Sequence, residues 1–288
     1  MLADLFGFHL FDHHTIPLRD WIASAVNWLY TNHRPFFQAI KKPVEWILNG
    51  INLGLHAVPP VIMLLLVFAL AWWAASWRIG VFSLVALGFV GFLGLWGETM
   101  TTLAMVISAV VFCVIVGVPL GILASRSDHF AGFLRPVLDV MQTTPAFVYL
   151  VPVVMLFSIG TVAGVIATIV FSMPPLIRLT NLGIRQVQGD VVEAATAFGS
   201  SPREILFKVQ LPLALPTIMA GLNQTIMLSL SMVVIAALIG AGGLGLPVFE
   251  GLNSLKTGLA GIGGLAIVLL AMVLDRITQG LGERGARR

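Results

Sequence analysis

The fold is decided by 193-EAATAFGSSPREILFKVQLP-212, the most polar long stretch of an otherwise apolar chain. Its four charged side chains in twenty residues are twice the density of the whole 288-residue chain, of which 10% is charged. Long apolar runs stand on both sides of it. The stretch is therefore expected to connect two membrane-spanning helices outside the lipid, because charged side chains are costly within the hydrocarbon core.

Two capping patterns predict short helices within this connection. Ser201 is followed by Pro202 and, at the third helical position, by Glu204, which is the pattern of a capping box with proline where a helix start tolerates it. Asp190 and Glu193 repeat the three-residue spacing. Each pattern predicts that a helix begins at that point.

The turn between these helices is expected at Gly199, because a helix C-terminus favours a residue that accepts positive φ. The helices then cover about 191–198 and 202–210. The first helix has a face of small residues that another protein could approach closely, made of Ala194, Ala195 and Ala197. Spacing alone leaves two interpretations open, a docking surface for a partner and a plain connector.

The composition indicates an integral membrane protein, because 58% of the residues are hydrophobic and the mean hydropathy is +0.98. The net charge is +3 and the basic residues are not massed in one patch, which gives nucleic-acid binding little support. The single cysteine, Cys113, lies within an apolar run. We find no cluster of residues with metal-ligand spacing and expect no metal site.

Seven apolar runs are long enough to cross the hydrocarbon core, which takes about 20 residues. They lie at about 58–77, 79–96, 99–124, 137–159, 162–184, 214–240 and 258–280. The chain is therefore predicted to be all-α, with an N-terminal tail at 1–57 and a transmembrane domain at 58–288 that includes the polar connection at about 185–213. Apolar stripes with Trp at helical spacing predict that the tail forms amphipathic helices in the membrane interface.

The lysines and arginines predict the orientation, because cytoplasmic loops carry their excess. With 185–213 in the cytoplasm, eleven of these cations lie inside and five outside, and the N-terminus is outside. The inside set is Arg78, Arg126, Arg135, Arg178, Arg185, Arg203, Lys208, Arg276, Arg284, Arg287 and Arg288. For Arg178 and Arg185, which flank the connection, anchoring at the membrane surface and contact with a partner both remain open.

The polar connection resembles the EAA loop of ABC importer permeases. In that motif EAA is followed after three residues by Gly, and after nine more by Ile, one residue and Leu-Pro. The matching residues here are Glu193, Ala194, Ala195, Gly199, Val209, Leu211 and Pro212, with Val in place of Ile. About 95–280 is similar to the permease subunit of glycine betaine/proline betaine importers, the quaternary-amine branch of type I ABC importers. The segments 138–157, 171–187, 208–245 and 274–278 carry this wider resemblance.

The resemblance implies a transport subunit of the bacterial inner membrane rather than an enzyme. It implies a homodimer that forms the pathway, two cytoplasmic ATPase subunits that dock on the coupling helices, and an extracytoplasmic substrate-binding protein. ATP and Mg would be bound by the ATPases and no cofactor by this chain. Choline and carnitine importers are similar enough to remain possible, and the loop residue Glu193 could either pair with the ATPase or cap its own helix from position N3.

Polar residues inside the spans are candidates for lining a substrate pathway, because they are costly against lipid. The first candidates are Gln142, Thr144 and Gln224, and helix–helix hydrogen bonding is the alternative role for such residues. We interpret Asp139, near a helix start, as the only carboxylate deep in a span. This scarcity suggests that energy enters from outside the membrane domain, since ion-coupled transporters usually have buried ionisable groups.

Two further segments are candidates for moving parts. GAGGLG at 240–245 lacks the features of a phosphate loop and is interpreted as a flexible break at the outer end of the sixth span. The resemblance places Gly240, Gly242 and Gly243 near an outward gate. Pro174 and Pro175 are expected to end or kink the fifth span and are hinge candidates.

Two functions from other classes remain open. A secondary transporter or channel would act without ATP. A membrane-embedded enzyme would need a polar catalytic constellation, and the sequence contains no HExxH motif and no GxSxG motif in a usable context.

Overall fold

The computed structural model describes residues 17–286, and side chains up to residue 284. Within these residues all regular structure is helical. The first sixteen residues of the predicted tail and the two last arginines lie outside the described residues. The helices are α1 (Leu18–Asn32), α2 (Arg34–Ala57), α3 (Pro60–Ala74), α4 (Trp77–Phe92), α5 (Trp96–Arg126), α6 (Asp128–Thr143), α7 (Leu150–Phe157), α8 (Thr161–Arg185), α9 (Gly189–Ala197), α10 (Pro202–Glu204), α11 (Leu211–Ala236), α12 (Gly245–Asn253) and α13 (Thr257–Ala286).

Four helical segments are long and apolar enough to cross a membrane. They are α5, α8, α13 and the continuous segment Pro202–Ile239, which joins α10 to α11 through a π-helical stretch, Ile205–Gln210. These four correspond to the predicted third, fifth, seventh and sixth spans. The longest straight segments of the chain were therefore predictable from hydropathy alone.

The prediction of seven spans needs correction in its other three members. The predicted fourth span is broken, because α6 and the segment Ala146–Phe157 meet at 107°. The first predicted span, α3, has 15 residues and is bent by 108° from α2, and the second, α4, has 16 residues. By length and composition the described residues hold four spans, or six if each bent pair counts as one.

The second helix of the tail packs on the membrane domain. Phe37, Val44 and Leu48 of α2 are buried, and the Phe37 ring lies 5.6 Å from the ring of Phe157. Lys41 Nζ donates to the Phe157 carbonyl at 3.2 Å, which satisfies an otherwise free carbonyl at the end of α7. By contrast, α1 has no buried residue. The domain division at residue 57 stays a prediction, although α2 ends there.

The core is a close packing of α5, α8 and α11, in which glycines let the backbones approach. A Cβ added at Gly121 of α5 would lie 2.5 Å from Thr180 Cβ. One added at Gly221 of α11 would lie 3.0 Å from Leu179 Cβ, and Gly183 of α8 faces Thr217 at the same distance. Because lipid does not drive helices together by the hydrophobic effect, this close packing is what stabilises their association.

The buried Pro174 and Pro175 do not end a helix, because α8 continues through both to Arg185. The expected end of the span at this dipeptide is absent, and the alternative of a kink stays a prediction. Membrane helices tolerate proline where neighbouring helices cover the freed backbone groups. Gly221 of α11 packs against this part of α8, where an added Cβ would come within 3.3 Å of the Pro175 carbonyl. The hinge role of the two prolines stays a prediction.

Gly121→Ala is expected to lower the free energy of unfolding by about 1 to 3 kcal/mol, because the new methyl group overpacks against Thr180. Equilibrium unfolding in mixed detergent micelles measures this change. The matched control is Gly264→Ala in α13, where an added Cβ meets nothing within 4 Å. Equal stability of the two variants would contradict the close packing of α5 on α8.

Candidate functional site

The polar connection folds as a projecting helix–turn–helix at 189–210, here called the elbow. Its first helix, α9, ends in a Schellman motif: the Ser200 N–H donates to the Ala195 carbonyl at 3.1 Å, and the Gly199 N–H donates to the Thr196 carbonyl at 2.9 Å. Gly199 has φ +80°, a conformation that glycine adopts without strain. The predicted turn at this residue is confirmed.

The second half of the elbow begins with the predicted capping box. The Ser201 N–H donates to Glu204 Oε2 at 3.0 Å, and the Glu204 N–H donates to Ser201 Oγ at 3.4 Å. A hydrogen bond from Lys208 at 2.9 Å, followed by those from Ser201, lowers the pKa of Glu204 to about 2. The carboxylate is therefore ionised at neutral pH and can accept both bonds in its charged form.

The other predicted capping box is absent. Helix α9 begins at Gly189 with Gln188 as its N-cap, and no side chain caps it. Glu193 is then the fifth helical residue, two residues too late to act from position N3. Its carboxylate, like the small side chain of Ala194, is exposed. The alternative in which Glu193 caps its own helix is therefore wrong.

The elbow presents an apolar tip. Phe198, directly before the turn, is 91% exposed, and Ala195 on the same helix is half-buried. Behind the tip, Ile205 and Leu206 are buried. The remaining motif residues Val209 and Leu211 are half-buried, and Pro212 is exposed. The sequence interpretation passed over Phe198, although an exposed aromatic residue beside a turn glycine is a readable signal for a contact surface.

The elbow lies at the end of the molecule where the predicted inside cations gather. Arg126 Nη2 donates to the Pro202 carbonyl at 2.9 Å, and Arg185 Nη2 donates to the Ala124 carbonyl at 2.8 Å. The Arg284 guanidinium lies 5.4 Å from the Trp73 ring centre, and α13 approaches the α3–α4 turn at Gly280. We call this the elbow end.

Arg178 and Arg185 bind carboxylates of this chain. Arg178 pairs with Asp139, and Arg185 Nη1 lies 2.7 Å from Asp128 Oδ1. Both pairs line a cavity of about 400 Å³ between α6 and α8 at the elbow end. The sequence had suggested surface anchoring or ATPase contact, whereas the structure shows both arginines as links between helices.

The break between α6 and α7 lies level with the middle of α8, a position here called mid-depth, because the Tyr149 ring packs 5.8 Å from Phe171. Three hydroxyls bond to carbonyls of the last turn of α6, and one of these carbonyls, that of Met141, has no backbone donor because Pro145, four residues on, lacks an N–H. Thr143 donates to the Asp139 carbonyl at 3.0 Å, Thr144 to the Val140 carbonyl at 2.7 Å, and Tyr149 to the Met141 carbonyl at 2.6 Å. The Tyr149 side chain thus satisfies the broken backbone.

The three pathway candidates have different surroundings. Gln142 on α6 and Gln224 on α11 are exposed on the surface of the chain, and half-buried Thr144 bonds to the break as described. None of them lines the cavity between α6 and α8. The pathway role of Gln142, Thr144 and Gln224 stays a prediction.

Other polar residues within the spans form hydrogen bonds between helices. Ser229 of α11 and Ser172 of α8 have their hydroxyl oxygens 3.0 Å apart, and both are buried. Asn223 of α11 accepts from Thr278 of α13 at 2.6 Å and donates to Asp275 at 3.2 Å. These residues therefore take the alternative role of helix–helix hydrogen bonding.

Asp275 is a residue that the sequence interpretation missed. It lies within the predicted seventh span, so the view that Asp139 is the only carboxylate in a span is wrong. Asn223 and Gln279 both donate to its carboxylate, the latter at 2.7 and 2.8 Å. A carboxylate with amide donors one helical turn away and on the neighbouring helix acts as a link between α11 and α13.

The glycine-rich segment after α11 is a tightly packed turn. Gly240, Gly242 and Gly243 have φ between +72° and +77°. The Leu244 N–H donates to buried Thr102 Oγ1 at 2.8 Å, and the Gly160 N–H donates to the Ile239 carbonyl at 3.0 Å. The segment is thus held by α5 and by the start of α8, which differs from the expected flexible break. Its gate role stays a prediction.

Comparisons with known proteins agree with this architecture. The family described as "Binding-protein-dependent transport system inner membrane component" matches residues 117–286. The chain is 52% identical over 277 residues to the glycine betaine/proline betaine transport system permease protein ProW of Escherichia coli (strain K12), covering 95% of this chain and 78% of that one. It is 47% identical over 266 residues to the glycine betaine transport system permease protein OpuAB of Bacillus subtilis (strain 168), covering 92% and 94%.

A solved structure supports the fold. An inward-facing conformation of the MetNI methionine ABC transporter matches with a TM-score of 0.55 and 24% identity, over 65% of this chain and 91% of that one. The helical architecture with its projecting elbow is that of the membrane domain of an ABC importer, as the sequence predicted. The chain belongs to the family of binding-protein-dependent transport system inner membrane components, and is a multi-pass transport permease.

Tyr149→Phe is expected to lower the free energy of unfolding by about 1 to 2 kcal/mol, because the Met141 carbonyl loses its donor while the ring keeps its contact with Phe171. Unfolding in mixed micelles measures the loss. The control is Tyr30→Phe, which changes the only other tyrosine, on α1 beside Arg34. If both variants match the parent chain, the hydroxyl does not stabilise the break.

Proposed function

We propose that this chain is the membrane subunit of an ATP-driven importer of glycine betaine and proline betaine. The observation that carries the proposal is the elbow, a rigidly capped and exposed helix pair whose motif residues match the coupling loop of such permeases. The names of the relatives ProW and OpuAB, at 52% and 47% identity, support the substrate class. The chain itself serves transport, and a separate ATPase supplies the energy.

The elbow is the proposed docking site for the ATPase. The apolar tip at Phe198 fits a cleft on a partner, and small Ala194 and Ala195 allow close approach. Glu193 is exposed and available for a basic residue of the partner. ATP and Mg would be bound by the ATPase pair, whose closure would displace both elbows in the assembled transporter.

A continuous helix connects the elbow to the membrane domain and would transmit that displacement. The helix that begins at Pro202 runs without interruption to Ile239 over 38 residues. At 1.5 Å per residue this is about 57 Å, well beyond the 30 Å of the hydrocarbon core, so its first turns project from the membrane. A push on the elbow therefore reaches α11 directly and, through the contact between Ser229 and Ser172, reaches α8.

A second copy of the chain is proposed to complete the pathway. Irregular backbone at membrane depth is tolerated only where protein or water covers it. The break at mid-depth is flanked by exposed Gln142 and Thr143, and Phe147 within it is 58% exposed. The polar side chains of Gln142 and Thr143 are unsuited to lipid, which favours a homodimer whose two breaks face a shared, water-filled route.

The proposed orientation places the elbow end in the cytoplasm and α2 on the outer side. The gathering of arginines at the elbow end supports it, because the positive-inside rule counts short loops next to spans. An external substrate-binding protein would then dock at the opposite end, near the glycine turn at 240–243. In the resembled family this turn lies beside the outward gate.

Uptake in proteoliposomes tests the function. Vesicles that contain this chain, its ATPase and the external binding protein are expected to accumulate radiolabelled glycine betaine only when ATP is inside with the ATPase. Excess proline betaine should compete more strongly than choline or carnitine. Uptake without the ATPase would favour a secondary transporter or channel, and preference for choline or carnitine would change the substrate assignment.

Gly199→Pro is expected to reduce ATPase binding to the permease by about tenfold or more, because strain of about 1 to 3 kcal/mol would distort the turn. Proline fixes φ near −65° and lacks the N–H that bonds to Thr196. Co-purification and ATP-dependent uptake measure the loss, with membrane insertion as a check. Gly199→Asn is the matched control, since asparagine tolerates the left-handed conformation. Normal coupling in the proline variant would refute the docking role of the elbow.

A further inference from the structure

Helix α6 packs weakly against the rest of the chain. Of its sixteen residues only Leu138 is buried. The cavity of about 400 Å³ separates its inner face, with Ala131 and Leu134, from Ile177 and Leu182 of α8. A helix that buries one side chain beside a cavity gains little from packing. Its position must depend on other contacts.

Two ion pairs bridge this cavity. Asp128 binds Arg185, and Asp139, eleven residues later on α6, binds Arg178 on α8. The side chains of Asp139 and Arg178 are 55% and 39% exposed. Neither side chain is fully covered by this chain, so opening the pair does not leave a charge buried within the protein and is energetically accessible.

The two ends of α6 are held differently. At the first end, α6 follows α5 after the single residue Ser127, and Arg185 also bonds to the Ala124 carbonyl at 2.8 Å and to Asn181 Oδ1 at 2.9 Å. That end is fixed by several contacts. The second end leads into the break after Thr143, where the chain turns by 107°. There the Asp139–Arg178 pair is the charged link to the neighbouring helix.

We infer that α6 is a mobile arm that pivots near Asp128 and is latched to α8 by the Asp139–Arg178 ion pair. Opening of the latch lets the second half of α6 tilt across the cavity and carries the mid-depth break with it. The break lies where the proposed pathway runs, so the latch sets whether that route is open. This last step rests on the proposed function, whereas the motion of α6 belongs to the chain alone.

Distance measurement by pulsed electron resonance tests the motion. Spin labels are placed at Val140→Cys and Leu123→Cys, both exposed positions, in a Cys113→Ala background that removes the single native cysteine. The full chain in lipid nanodiscs is expected to show a major, latched distance. Asp139→Asn should raise the ratio of unlatched to latched molecules by about 2- to 5-fold, the range for a solvent-exposed ion pair.

Two further variants make the result specific. The charge exchange Asp139→Arg with Arg178→Asp is expected to restore the parent distribution. The matched control Asp128→Asn removes a carboxylate of the same cavity at the pivot and should leave the distribution unchanged. If Asp139→Asn has no effect, if the exchange fails to restore, or if Asp128→Asn has an equal effect, the latch is overturned.

The same samples separate this inference from the transport assignment. Distances in nanodiscs need neither ATPase nor substrate, so failure of betaine uptake would contradict the proposed function without touching the latch. Conversely, normal ATP-driven uptake with an unchanged distance distribution in Asp139→Asn would keep the function and remove the latch. If the Asp139→Asn protein is not monodisperse, the test rests on the charge-exchange variant. A distance distribution like that of the parent chain then supports the latch, and a broadened distribution contradicts it.

Discussion

The need to satisfy every backbone polar group at membrane depth is the constraint on which the rest of this structure depends. Hydrocarbon offers no hydrogen bonds, so a helix can break within it only where side chains or neighbouring backbone replace the lost partners. The chain breaks level with the middle of α8 at 144–149, and it turns again at 240–244, directly after the long helical segment that ends at Ile239. At the first break the Tyr149 hydroxyl donates to the Met141 carbonyl, and at the second the Leu244 N–H donates to Thr102 Oγ1. Both breaks are therefore defined turns.

The molecule has a closely packed part, made of α5, α8, α11 and the elbow, and a weakly packed part, α6. Helices α5, α8 and α11 approach through Gly121, Gly183 and Gly221, and buried hydroxyls join α8 to α11. The elbow continues into α11, so it is an extension of this stiff group. Helix α6 lies beside the group, fixed at one end by several contacts and held near the other by an exposed ion pair, buried Leu138 and the hydrogen bond from Tyr149 to Met141. A force applied to the elbow would therefore be transmitted along α11 to the closely packed helices. These helices lie beside α6, which is held more weakly.

At the elbow, one of the two predicted capping boxes forms and the other does not. Ser201, Glu204 and Gly199 were interpreted correctly, because capping boxes and left-handed turns are local and their partners lie within a few residues. Asp190 and Glu193 have the same spacing without the box, since α9 starts at Gly189 and shifts both residues along the helix. A capping pattern predicts that a helix begins nearby, but the packing of the flanking segments selects the residue. Similarly, Pro174 and Pro175 were expected to end or kink the fifth span, yet α8 continues through both to Arg185.

By itself, the sequence determined the membrane class, the four long spans and the projecting elbow with its motif. These features depend on hydropathy, length and contacts between near neighbours, all of which can be read along one segment. Only the tertiary structure decided that the predicted fourth span is broken, that Arg178 binds Asp139, and that Asp275 joins α13 to α11. The physical reason is that a polar group in a span is stabilised by its partner on another helix, and which helices become neighbours depends on the packing of the whole chain.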